Sequence, residues 1–276
     1  MSKICNWFAL FIFVGSVLLA APAQAMKITP PRLVIEPNQK VAHVYIKNDK
    51  ARTVTYRFRW KGVAMTKDGQ IVNLDQQDAS LVPGYRAAEP YLRYSPRRVT
   101  LKPGDTQRLT FLVRRAPDMV DGEYRSHFVI ETEPDADSDN EQFESGENTS
   151  VGVDFLLSRA FPIYLLNGNV DANIQISSAR YMRHPQSQDV FIVKADIVKQ
   201  GNRSAIGVLD VLCGDVSVAK SPKVFSVYAE ADRRTEEVVV DGQAVAGCKS
   251  GLKAVATGNG TDFKGGQVLA TAPVAR

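Results

Sequence analysis

Hydrophobic and polar positions alternate with a period of two in several short runs of this chain, the pattern of strands with one dry face and one wet face. Val54, Tyr56, Phe58 and Trp60 alternate with Thr55, Arg57, Arg59 and Lys61. Leu109, Phe111 and Val113 alternate in the same way with Arg108, Thr110 and Arg114, with Leu112 out of step. Pro103-Gly104-Asp105 precedes that run and predicts a turn, because proline presets the bend and glycine tolerates a positive φ. Short strands recur near residues 36, 54, 71, 99, 108 and 124. A second series covers residues 174–179, 190–198, 205–213, 224–228, 236–240 and 252–256. Pro185, Gly201-Asn202, Ser221-Pro222 and Asp241-Gly242 fall between these as breaks. No segment predicts a convincing amphipathic helix. The spacing predicts an all-β chain of two consecutive sandwiches, residues 26–167 and 168–276. The tail after Phe263 is rich in glycine and alanine and is expected to be poorly ordered.

The first 25 residues stand outside that pattern. Lys3, an apolar run from Trp7 to Leu19, and Ala23-Gln24-Ala25 have the order of an export signal with a small-x-small cleavage site. The run is too short and wrongly flanked for a membrane span. Removing residues 1–25 from 276 leaves 251 and lowers the formal net charge from +4 to +3, since Lys3 is the only charged residue removed. That balance is too mild to argue for nucleic acid. His43, His127 and His184 are far apart and show no ligand spacing, so neither a metal nor another cofactor is expected. Cys213 and Cys248 are the two cysteines of the exported chain. In an oxidising compartment an even count favours one disulfide; two buried free thiols are the alternative.

From Glu131 to Ser150 there are eight acidic residues and no basic one, with Phe143 the only large apolar side chain. Such a segment buries too little to offset its ordering entropy, and a flexible acidic loop is expected over 131–150. A strand pattern follows at once. Val151, Val153, Phe155 and Leu157 fall on one face, and Gly152, Asp154, Leu156 and Ser158 on the other. An ordinary core strand would show this row, and so would a strand offered to another chain.

Residues 94–109, Tyr-Ser-Pro-Arg-Arg-Val-Thr-Leu-Lys-Pro-Gly-Asp-Thr-Gln-Arg-Leu, resemble the PapD-like periplasmic chaperones of the chaperone–usher pathway. Asp121-Gly122-Glu123-Tyr124-Arg125-Ser126-His127-Phe128 is similar to the next strand of that family's first domain. Pro31-Arg32-Leu33-Val34-Ile35 resembles its first strand. The resemblance covers roughly residues 28–166 and implies two immunoglobulin-like β-sandwich domains set at an angle, with a cleft between them. It implies a periplasmic protein that binds pilus or fimbrial subunits by donor-strand complementation and delivers them to an outer-membrane usher. Val151, Val153, Phe155 and Leu157 would then be the donor row, and a free molecule has self-association as one way to cover it. The family also holds the subunit's C-terminal carboxylate with two basic residues. Arg32 matches the first; Arg159 is the nearest candidate for the second, although counting from the donor row falls on Ala160 or Pro162. A guanidinium suits the task because its planar fork donates two hydrogen bonds to one carboxylate.

No nucleophile or acid–base motif is present, and the acids cluster in a segment unsuited to preorganised chemistry, so catalysis is not expected. The rival reading from another class is a secreted structural or adhesive surface protein of two immunoglobulin-like domains. It would share the leader and the strand spacing, but would not need an acidic loop feeding an apolar strand.

Overall fold

In a computed structural model of the chain, the described residues are 26–76, 82–133, 158–260 and 263–276. The first eleven strands are β1 (Lys27–Thr29), β2 (Leu33–Ile35), β3 (Val41–Lys47), β4 (Val54–Lys61), β5 (Val63–Met65), β6 (Ile71–Asn73), β7 (Leu92–Ser95), β8 (Arg98–Leu101), β9 (Thr106–Val113), β10 (Gly122–Thr132) and β11 (Ser158–Asn167). They form one sandwich of a four-stranded sheet, β1-β3-β9-β7, and a five-stranded sheet, β2-β11-β10-β4-β8; β5 and β6 make a separate hairpin.

The period-two pattern explains which side chains meet between the sheets. Ala42, Val44 and Ile46 of β3, Tyr56 and Phe58 of β4, and Leu109 and Phe111 of β9 are buried in the first core. Leu112 is 48% exposed, so the alternation persists through β9 and this leucine simply points outward beside Val41. Phe128 is the centre of the aromatic packing, edge-on to Tyr94 at 4.7 Å and to Trp60 at 4.9 Å between ring centroids. The turn read at Pro103-Gly104-Asp105 joins β8 to β9, with Gly104 at φ +81° and the Asp105 amide donating to the Lys102 carbonyl.

The second sandwich contains β12 (Ala172–Arg183), β13 (Val190–Gly201), β14 (Ala205–Cys213), β15 (Val216–Lys220), β16 (Phe225–Val227), β17 (Arg233–Asp241), β18 (Leu252–Gly258) and β19 (Val268–Pro273). One sheet is β12-β13-β17; the other is β15-β14-β18-β19, with β16 on β14. Two features depart from the sequence reading. A short helix, α1 (Gly242–Gly247), follows β17, capped by Asp241, whose carboxylate accepts from the Gln243 amide. The Gly- and Ala-rich tail is not loose: β19 pairs with β18 from Lys253↔Pro273 to Thr257↔Val268. Small side chains gave that segment little hydrophobic signal, while its backbone finds a complete partner strand.

Cys213, at the end of β14, is bonded to Cys248, just after α1. This settles the choice between a disulfide and free thiols. Closing a loop of this length is worth about 4 kcal/mol in the chain-entropy picture.

The sandwiches are joined at Asn167-Gly168-Asn169. Gly168 has φ +59°, and a Cβ there would collide with the Asp121 carboxylate. The hairpin of β5 and β6 also crosses the junction. Met65 is fully buried in the second core, not the first.

Candidate functional site

The site begins with the pairing of β11. On one side β11 is bonded to β10 along its whole length, from Ser158↔Glu131 to Asn167↔Gly122. On the other side it meets β2 only at Ile163↔Leu33, Tyr164↔Val34 and Leu165↔Ile35. Among the described residues, positions 158–162 therefore carry no second partner strand. The cause lies in the path of the first segment. β1 pairs with β3 in the opposite sheet, and the chain crosses between sheets at residues 30–32 before β2 comes alongside β11. Arg32 sits at the end of that crossing, where the open edge gives way to paired strand.

The donor row Val151, Val153, Phe155 and Leu157 lies outside the described residues, as does the acidic run beyond Glu133. The start of that run differs from the expected loop. Glu131 and Thr132 belong to β10, and the Glu131 carboxylate accepts from Arg59 Nε at 2.7 Å and from Arg57 at 3.4 Å. Burial alone would raise its pKa, but the hydrogen bonds and charges of the two arginines hold it below the usual carboxylate range. Glu133 is paired with Arg98.

The two basic residues read from the sequence take different sides of the sheet. In β11, Phe161, Ile163 and Leu165 point into the core, and Pro162 and Tyr164 point outward. The Arg32 guanidinium lies 5.8 Å from the centroid of the Tyr164 ring, on the outer face. Arg159 shares the parity of Phe161 and donates from Nη1 to the Met26 carbonyl at 3.0 Å. The structure does not bring Arg32 and Arg159 onto one face, because their strands meet in a register that differs by one residue from the one such a pair needs.

The outer face has a second cationic centre that sequence reasoning missed. Arg125 of β10 is 1% exposed. It donates to both carboxylate oxygens of Glu230, at 2.6 and 3.2 Å, and to Glu123 at 3.3 Å. Its guanidinium stacks 3.5 Å from the Tyr228 ring centroid. Burial works against the charge, but Glu230 and Glu123 more than offset it and hold the arginine pKa above its ordinary value. Glu230 also accepts from the Met65 amide at 2.8 Å, and Glu123 accepts from the Ser204 amide at 2.7 Å. This cluster ties the first sandwich, its hairpin and the second sandwich together. Arg125 and Glu230 are 105 residues apart, so no local spacing announces the pair.

No protein-family model matches the chain, and no curated protein matches it. Several solved structures are similar. A chain of the CsuC–CsuE chaperone–tip adhesion subunit pre-assembly complex from archaic chaperone-usher Csu pili of Acinetobacter baumannii shares 12% identity, with 91% of this chain and 98% of that chain covered and a TM-score of 0.48. The YadV chaperone shares 9%, with 90% and 99% covered and a TM-score of 0.46. The CupB2 chaperone of Pseudomonas aeruginosa shares 11%, again with 90% and 99% covered and a TM-score of 0.46. At such identities and TM-scores these likenesses carry no argument about function, which has to be read from the residues themselves.

Proposed function

We propose that this protein is a periplasmic chaperone of pilus subunits. It lends the strand of Val151, Val153, Phe155 and Leu157 to an incomplete subunit and hands the complex to an outer-membrane usher. The observation that supports the reading is the open edge of β11 at 158–162, which continues directly from that apolar row and ends at Arg32. An exposed strand edge with unsatisfied N–H and C=O groups is a template for another chain, and strand addition uses that template.

The energetics are of the right size. Each valine, leucine or phenylalanine side chain moved from water into a partner's core contributes about 1.5–3 kcal/mol, so four contribute on the order of 6–12 kcal/mol. That is comparable to the stability of a whole domain, enough to keep an unfinished sandwich from unfolding or aggregating. Arg32 fixes the register by receiving the subunit's terminal carboxylate at the point where the edge closes.

Co-purification from the periplasm tests this. The wild-type chain should emerge with a pilus subunit bound, and Phe155→Asp should emerge alone, because a charge placed in an apolar groove is costly. A Phe155→Asp chain that still captures subunit at the wild-type level would overturn the reading.

A further inference from the structure

β10 has β4 beside it only from Lys61↔His127 to Tyr56↔Thr132. Nearer the junction the same side of β10 is taken by the chain at residues 86–89. The Arg125 amide donates to the Arg86 carbonyl at 2.8 Å, and the Ser126 hydroxyl accepts from the Ala88 and Glu89 amides at 3.1 Å. Between leaving β10 after Lys61 and returning to it, the chain forms the hairpin of β5 and β6, whose tip leaves the first sandwich for the second.

Two contacts of different kinds fasten the tip there. Met65 is fully buried in one cluster with Ile197, Phe225, Val227 and Ala231 of the second sandwich, whereas Ile71, opposite it in the hairpin, is 55% exposed. In the turn, the Thr66 amide donates to the Gln70 carbonyl and the Gly69 amide to the Thr66 carbonyl. Gly69 has φ +86°, and a Cβ on it would stand 2.9 Å from the Arg233 carbonyl oxygen in β17. Glycine therefore lets the turn lie directly on the backbone of β17. The hairpin backbone is also pinned: the Met65 amide donates to Glu230, and the Val63 carbonyl accepts from Arg125 at 3.2 Å.

We infer that this hairpin is a brace. The first sandwich supplies Met65 as a missing piece of the second core, and the turn at Gly69 seats on β17, so the angle between the sandwiches is set before any partner binds. Consecutive domains move relative to one another by default unless the interface between them is large and apolar. The linker at residues 167–169 leaves from β11 and the hairpin leaves from β4, with β10 between them in the sheet. The two crossings are thus about 10 Å apart, two strand spacings. A single crossing is a swivel; two crossings that far apart are not. Truncating Met65 opens a cavity in the second core, although the residue belongs to the first sandwich.

The test uses the full mature chain as wild type, Met65→Ala, Met65→Leu and Gly69→Ala. Amide hydrogen exchange in β13, β14 and β18 reads the second core, and residual dipolar couplings read whether the two sandwiches share one alignment. The wild type should share one. In Met65→Ala, exchange in those strands should quicken by about thirtyfold or more, the equivalent of about 2 kcal/mol, and the two sandwiches should align separately. Met65→Leu should restore both. Gly69→Ala keeps the core filled, so it should separate the alignments with a much smaller change in exchange. Unchanged exchange in Met65→Ala would show that Met65 is no part of the second core and overturn the inference. A single alignment kept in Gly69→Ala would show that the hairpin fixes no angle and overturn it equally, and this arm decides alone if Met65→Ala does not fold. Separate alignments in the wild type would also overturn it.

Discussion

Arg125 and Arg32 lie on the same face of the same sheet in opposite surroundings. Arg125 is sealed between two glutamates and a tyrosine ring, and every strong interaction it can make is inside the protein. Arg32 is only half-buried, stacked on Tyr164 where β11 loses its second partner strand. A guanidinium with both carboxylates in place holds two sandwiches together. A guanidinium at the open edge is the one proposed to meet a partner's carboxylate. Residue type does not separate the two roles; what surrounds each one does.

The sharpest way to break this comparison is to exchange the consequences. Arg125→Met strands Glu123 and Glu230 in the interior, and removing one partner of a buried ion pair typically costs about 3–5 kcal/mol. A thermal or denaturant melt of the free protein should show that loss. Arg32→Ala should leave the same melt nearly unchanged and reduce subunit affinity, by about 1.5–3 kcal/mol if one charge-assisted contact is lost. Were Arg32→Ala to destabilise the free chain as much as Arg125→Met, the division between joining and binding residues would be wrong.

A smaller effect sharpens the comparison through pH. His127 lies two residues from Arg125 and is kept neutral in the folded chain down to about pH 3, against an ordinary value of 6.5. As pH falls below that ordinary value the unfolded chain binds a proton that the folded chain refuses, so stability is lost with acid. Between pH 6.5 and about 5 the loss from this one group is about 1.5 kcal/mol. His127→Gln should flatten the stability-versus-pH curve in that window, by urea melts at several pH values. An unaltered slope would mean the imidazole is not held neutral.

Much of the fold was legible because a sandwich writes itself in alternation. β4 and β9 could be read from parity alone, and the Pro103-Gly104-Asp105 turn from the backbone freedom of Gly104. β19 was missed because Ala270 and Ala272 are small and Leu269 is only partly buried, and the strand exists through its ladder with β18. α1 was missed because six residues cannot show a period, and Asp241-Gly242 was read only as a break between strands. The site was legible only in part. Arg32 follows from the motif around it, but the side taken by Arg159 depends on a one-residue register set by the Ile130↔Arg159 pairing. The junction of Arg125, Glu230 and Met65 joins segments that nothing in local sequence connects.

Backbone amide hydrogen exchange over residues 151–157, compared between the free chain and its complex with a pilus subunit, tests strand lending most directly. The account predicts that the amides of this segment gain strong protection when the subunit is bound, in a ladder that continues from β11. Protection that is already complete in the free chain and does not change on binding would contradict it.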